Sequence, residues 1–148
     1  MPSTLVNRYS SLRDSKDIYR WGVYIRPKIE TLFDDNITFI GDSAHPIVPF
    51  IGQGGCLALE DAYAFGNLLD RHNSDFRKTQ NKYQQLRINR IKSIHIQSLN
   101  QAKLNHLSNP ILIFFRNLLM KYTSVISNRT KNIWSYDITK ALDSNDFK

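Results

Sequence analysis

The residues best placed to do chemistry are crowded into one stretch. "FIGDSAHPIVPFIGQGGCLALEDAYAFGNLL", Phe39 to Leu69, contains five of the six Gly in the chain. An apolar run leads into it and a helical pattern leads out, so the Gly-rich turn sits at a helix N-terminus. The first N–H groups of a helix lack internal partners and carry partial positive charge, which makes such an end an acceptor site for anions and dipoles. Gly52, Gly54 and Gly55 let a flat ligand approach the backbone without a Cβ in the way. Pro46 and Pro49 stiffen the loop and present apolar ring faces. Asp42, at the end of the apolar run, is placed to accept hydrogen bonds from ligand hydroxyls. The set suits a ligand with a sugar-like chain and a polar flat ring. It lacks the Lys of a P-loop, and no G-x-G-x-x-G that would cradle a diphosphate occurs.

Other residues in and around the stretch have plainer readings. "GDS" invites a serine nucleophile at Ser43, but His45 is too close in sequence to reach back as its base, and the later His residues fall in basic helical stretches. His45 is expected to be a structural residue bonding loop backbone. Cys56 is expected as a small buried side chain. Glu60 and Asp61 are expected to serve the helix N-terminus and a packing contact. Tyr24 and Arg26 are expected at core or surface positions of a strand, with the border of a substrate pocket as the sharper alternative.

The elements that must position these residues follow from periodicity. "YRWGVYIR" (Tyr19 to Arg26) is aromatic and β-branched and reads as a short strand ended by Pro27. Asp34, Asp35 and Asn36 mark a turn. "ITFIG" (Ile37 to Gly41) reads as a buried strand. From Gly55 the period is helical, with Leu57, Ala58, Ala62, Phe65, Leu68 and Leu69 as the apolar stripe. Ser74 or Asp75 can cap a long helix over 76–107, with Phe76, Tyr83, Ile91, Ile94, Ser98 and Ala102 on one side. "SNP" (Ser108 to Pro110) stops it and starts a third helix to about Ile126. The remainder reads as a loop and frayed tail. The chain is thus expected to be mostly α, with two or three short strands leading into the Gly-rich loop and three helices. So few strands make a poor sheet by themselves.

Bulk properties bound the function. The 148 residues fit one domain, and 41% hydrophobic residues exclude a disordered chain. One Cys offers neither a disulfide framework nor a Cys-based zinc site, no metal site is expected, and no secretory leader is read at the start, which together point to a cytoplasmic setting. The net charge of +7 is uneven: residues 71–131 carry twelve Lys and Arg against one acid, Asp75. Such a surface could face an anionic partner, though no nucleic-acid-binding signature accompanies it and none is expected as a partner.

The stretch from Gly41 to Leu69 resembles the second flavin-contacting motif of the FAD-dependent aromatic-ring hydroxylases (salicylate hydroxylase-like and para-hydroxybenzoate hydroxylase-like monooxygenases, with related epoxidases). Their pattern is roughly G-D-A-A-H-P-x-x-P-x-x-G-Q-G-x-N/C-x-x-x-E-D-A. Weaker likeness extends through "WGVYIR", "YQQLRINRIKSI" and "IWSYD", covering roughly residues 20–137. The resemblance implies an α/β parent fold, the two-domain FAD-binding monooxygenase. It also implies FAD as cofactor, NAD(P)H as reductant, and O2 with a small aromatic molecule as substrates. By the same resemblance Asp42 bonds the ribityl chain, and Pro49 lies beside the isoalloxazine. Gln53, Gly54 and Gly55 offer N–H groups to its N1–C2=O edge, and Cys56 stands where many members have Asn. The helix dipole would favour negative charge on reduced flavin by about 0.3–2 kcal/mol.

Residues 1–36 are then expected to end the substrate-domain sheet and 37–70 to form strand, loop and helix of the FAD-binding domain. Residues 71–127 would be C-terminal helices and 128–148 a tail. The dinucleotide fingerprint, the middle Asp-Gly motif and most of the substrate-domain sheet are missing. The chain therefore reads as a C-terminal portion needing an N-terminal FAD-binding half or a second copy, and alone it is expected to bind FAD weakly without turnover. The alternative is a non-catalytic fragment whose basic helices, with "PILIFFRNLLMKY", bind a partner or an anionic membrane surface.

Overall fold

The apolar run before the loop finds only one strand partner. In the computed structural model, which describes residues 22–123 and 131–144, β1 (Phe33–Asp34) pairs antiparallel with β2 (Ile37–Thr38), Phe33 opposite Thr38 and Asp34 opposite Ile37. Asp35 turns the hairpin at φ +46°, a conformation its short polar side chain tolerates. The expectation of a buried strand over "ITFIG" is corrected: Ile37 and Ile40 are 62% and 44% exposed. A buried strand needs neighbours on both sides, and among the described residues β2 has β1 alone. "YRWGVYIR" is corrected for the same reason. Residues 22–26 form no strand, Tyr24 is exposed, and Tyr19 to Trp21 lie outside the described residues.

Three longer helices follow, and two short ones lie in the tail. α1 (Gly54–Arg71) buries Leu57, Asp61, Ala64 and Leu68. These recur at helical spacing, but the face is rotated from the expected stripe, with a carboxylate in its middle. Ala62 is exposed, and Ala58, Phe65 and Leu69 are only partly covered. α2 (Phe76–Asn105) is capped by Asp75, whose side chain accepts from the Lys78 N–H. Its buried face mixes Tyr83, Leu86, Ile91 and Ile94 with Thr79, Gln80, Arg87, His95 and Ser98. Phe76 and Ala102, expected on that face, are exposed and half-buried.

The polar members of α2 take over the hydrogen bonding that a larger sheet would supply. Gln84 Oε1 accepts from the Leu32 N–H at 2.8 Å, Gln80 Nε2 donates to Thr38 Oγ1 at 3.2 Å, Tyr83 Oη donates to the Phe39 carbonyl at 3.3 Å, and Ser98 Oγ donates to the Val48 carbonyl at 2.7 Å. The backbone of 32–48 is thus hitched to one helix. The apolar core fills in around these bonds: Ile29, Leu32, Ala44, Ala64, Leu68, Tyr83, Leu86, Ile91 and Leu142, beside a smaller cluster of Leu57, Ile94 and Ile133.

α3 (Pro110–Tyr122) starts at a proline capped by Asn109 and buries none of its residues. Its expected continuation from Ser124 to Ile126 lies outside the described residues. The tail differs from the frayed segment expected. Residues 131–134 are helical, and α4 (Ile138–Leu142) is capped by the Asp137 carboxylate. Ile133 and Leu142 are buried. Arg90 Nη2 donates to the Ile133 carbonyl at 2.9 Å, and Arg71 donates to the Leu142 carbonyl at 2.7 Å and pairs with Asp143 at 2.9 Å. Residues 128–130 and 145–148 lie outside the described residues.

A docked tail has a measurable consequence. Leu142→Ala is expected to lower the unfolding free energy by about 2–5 kcal/mol in urea titration. Phe114→Ala, on the exposed face of α3, should stay within about 0.5 kcal/mol. Equal effects at the two positions would refute the docking.

Candidate functional site

Two tight turns deliver the chain to the start of α1. The first is a 3-10 turn over Gly41–Ser43, where the N–H groups of Ala44 and His45 both reach the Gly41 carbonyl, at 3.0 and 2.9 Å. Gly41 takes φ +57°, and a Cβ there would stand 3.2 Å from Ala58 Cβ, so both the backbone angle and the space favour glycine. The second turn, Pro49–Ile51, ends on Gly52 at φ +66°. Gln53 follows as the N-cap of α1, with no side chain capping the helix.

The expected site residues meet at this N-terminus. The Asp42 side chain is exposed, and a Cβ built on Gly54 would lie 4.0 Å from its Oδ1, so the carboxylate stands over the first turn of α1. Nothing lies within 4 Å of a Cβ on Gly55. Gln53 is 3% exposed, and its Nε2 has no partner among the described residues. Pro49 opens the second turn and is exposed. Cys56 is also exposed, which corrects the expectation of a buried thiol: it occupies the outward side of the first turn, away from the Leu57 face that packs on α2. Ser43 Oγ donates to the Ile40 carbonyl at 2.7 Å, and His45 is committed elsewhere, so the serine has no base. Arg26 Nη1 donates to the Ala44 carbonyl at 3.3 Å.

Behind the loop lies a buried ionic cluster. Asp61, fully buried, receives the Gly41 N–H at 3.0 Å and His45 Nε2 at 2.5 Å on Oδ2, and Arg87 Nε at 2.8 Å on Oδ1. A carboxylate only accepts, so the imidazole proton is on Nε2. His45 therefore bonds a side chain on α1, not the loop backbone expected of it. Arg87 also pairs with Glu60 at 2.7 Å, Glu60 pairs with Arg90 at 3.2 Å, and the Arg90 guanidinium lies 4.3 Å over the Tyr136 ring. Asp61 and Glu60 were expected at a helix end and a packing contact; they form the centre of this cluster instead. Arg87, Arg90 and Tyr136 lie in the segments of weaker family likeness, but no role was read for them. The positional signal is that Arg87 falls four residues from both Tyr83 and Ile91, on the buried side of α2.

Electrostatics follow from this arrangement. Burial alone would raise the Asp61 carboxyl, but the His45 N–H, the Arg87 charge and the Gly41 N–H hold it below the usual range. Arg87, opposed by burial, is kept charged by Asp61 and Glu60. Burial, then the nearby Asp61 charge, pushes the Tyr83 hydroxyl well up. His95, 7% exposed and with no partner for either ring nitrogen among the described residues, is pushed below the ordinary imidazole value by burial and by His45. Among the described residues no group of His, Cys, Asp and Glu could hold a metal ion, and no helix is long and apolar enough to cross a membrane.

With this geometry, comparison with known proteins is informative. No family model matches the chain. It is 33% identical over 110 residues to violacein synthase of Chromobacterium violaceum, covering 74% of this chain and 25% of that protein. It is 36% identical over 87 residues to 3-hydroxybenzoate 6-hydroxylase 2 of Aquipseudomonas alcaligenes, covering 59% and 27%. Among solved structures, Klebsiella pneumoniae HpxO complexed with FAD and uric acid superposes with a TM-score of 0.61 at 26% identity, over 70% of this chain and 27% of that one. Over this part of their length the chain is similar to FAD-dependent aromatic-ring hydroxylases. It spans about a quarter of the length of these hydroxylase relatives.

Two buried groups with lowered pKa values set an acid response for this chain. An unfolded imidazole takes up a proton near pH ~6.5 that folded His95 refuses, so stability is present above that pH and falls as acid is added. A second loss begins below about pH 3.9, where unfolded carboxyls protonate, and proceeds as the pH falls through the lower folded value of Asp61. Urea midpoints measured from pH 7 to pH 3 should decline in these two stages, and His95→Gln should remove the first. A first stage that survives His95→Gln would contradict the assignment.

Proposed function

We propose that the loop from Gly41 to Cys56 receives the flavin end of FAD, and that the chain is the C-terminal part of an FAD-dependent, NAD(P)H-using monooxygenase that hydroxylates a small aromatic substrate. The observation that carries the reading is the exposed Asp42 carboxylate standing over an uncapped helix N-terminus whose first residues are Gly54 and Gly55. Gln53 adds a buried Nε2 with no partner among the described residues. The donor set fits the group. It offers a carboxylate for a polyhydroxyl chain, bare backbone N–H groups for a polar ring edge, and no Cβ to obstruct them.

In this reading Asp42 accepts from ribityl hydroxyls. The Gly54 and Gly55 N–H groups donate to the N1–C2=O edge of the ring, with Gln53 and Cys56 on either side. Pro49 presents its ring face to the isoalloxazine and excludes water from that side. The positive end of α1 favours negative charge at that edge by about 0.3–2 kcal/mol. Bound FAD supplies the oxygen chemistry, while this chain supplies binding, orientation and electrostatics. The small aromatic substrate is consistent with the names of the hydroxybenzoate hydroxylases.

Titration of FAD with the 148-residue chain tests the reading through flavin fluorescence. Weak, saturable quenching is expected. Asp42→Ala should weaken it by about 10- to 100-fold, the range for losing a charged hydrogen bond, and Gly54→Val should abolish it with the helical circular dichroism intact. Quenching that is identical in all three proteins would sink the proposal.

A further inference from the structure

We infer that Asp61 is a positioning residue for this loop: fixed by Arg87, its carboxylate sets the Gly41–Ser43 turn and so places the Asp42 carboxylate over the N-terminus of α1. The inference takes the identity of the ligand from the flavin reading and its geometry from the cluster alone. The Asp42 side chain is exposed and makes no hydrogen bond to the described residues, so its backbone decides where it points. A single oxygen holds the chain on both sides of Asp42, through the Gly41 backbone N–H and the His45 imidazole. Asp61 Oδ2 takes the Gly41 N–H at 3.0 Å and His45 Nε2 at 2.5 Å. Oδ2 is itself oriented, because Oδ1 is engaged by Arg87 Nε at 2.8 Å, and Arg87 is braced by Glu60 at 2.7 Å and by Tyr136 Oη at 3.4 Å. A side chain at Gly41 would crowd Ala58, with a Cβ there 3.2 Å from Ala58 Cβ, so the turn is built around a glycine. A clamp point next to the ligand-facing residue therefore converts a small rotation of Asp61 into a displacement of the Asp42 carboxylate. Displacing that carboxylate forfeits its charged hydrogen bonds to the ligand, a loss of about 10- to 100-fold in affinity.

A merely structural role is distinguishable from this one. A buried ion pair can commonly be exchanged for apolar residues of similar volume without loss of stability, whereas removal of one partner leaves a buried charge unpaired. If Asp61 and Arg87 only held the helices together, an apolar pair should restore stability and ligand binding alike. If they position the turn, it should restore stability alone.

The chain has six glycines, so labelling with 15N-glycine gives a short, assignable amide spectrum. Gly41 should show the downfield amide shift of a bond to a carboxylate, and FAD should move Gly54 and Gly55. Asp61→Asn strands the Arg87 charge and risks unfolding, so Asp61→Leu/Arg87→Met carries the decision. In that folded double variant the Gly41 shift should be lost, and the FAD dissociation constant should rise by at least about tenfold. An unchanged Gly41 resonance, or an FAD affinity within about twofold of wild type, would overturn the inference. If FAD leaves Gly54 and Gly55 unmoved in the wild type, the flavin reading fails by itself, and the Gly41 resonance of the double variant still decides whether Asp61 sets the turn.

Discussion

A single buried carboxylate organises the chain. Asp61 sits mid-face on α1, where an apolar residue would be expected, and gathers the loop through Gly41 and His45 and the long helix through Arg87. Placing a charge there is costly unless every lone pair is used and the countercharge is held. Asp61 accepts three hydrogen bonds, and its countercharge is held because Arg87 is shared with Glu60 and Glu60 with Arg90. Two acids, Asp61 and Glu60, thus meet two arginines, Arg87 and Arg90.

The second constraint is the shortage of strands. Backbone groups of the segment 32–48 that a sheet would satisfy are met instead by Gln84, Tyr83 and Ser98 of α2, while Gln80 ties in the Thr38 side chain. A helix that bonds an irregular segment in this way must carry polar residues on its buried side. The buried face of α2 is accordingly as much hydrogen-bonding surface as apolar stripe. The same use of arginine reaches the C-terminal segment, where Arg71 and Arg90 hold carbonyls that would otherwise keep the tail in water.

These two constraints explain what could and could not be read in advance. The Gly-rich turn, the start of α1, the Asp75 cap and the Pro110 start were legible, because glycine, proline and capping residues act locally. The convergence of Asp42, Gln53, Gly54 and Gly55 followed from their closeness in sequence. The face of α1 was misjudged because Asp61 interrupts its hydropathy, which made Ala58 and Ala62 look like core. Arg87 and Gln80 were not read as buried, since only their tertiary partners make them so. Tail helices in a polar segment carry no periodicity strong enough to show. The strands failed for a different reason: a buried strand is a property of its neighbours, and β2 has one.

Held by Asp61, the loop is expected to open only with the cooperative core and not as a free surface segment. Native-state amide hydrogen exchange measures this most directly. The N–H groups of Gly41, Ala44 and His45, which are all internally bonded, should exchange as slowly as those of Ala64 and Ile91 within the helices. Exchange at these three positions orders of magnitude faster than in α1 and α2 would show that the loop opens independently, and the account built on Asp61 would be wrong.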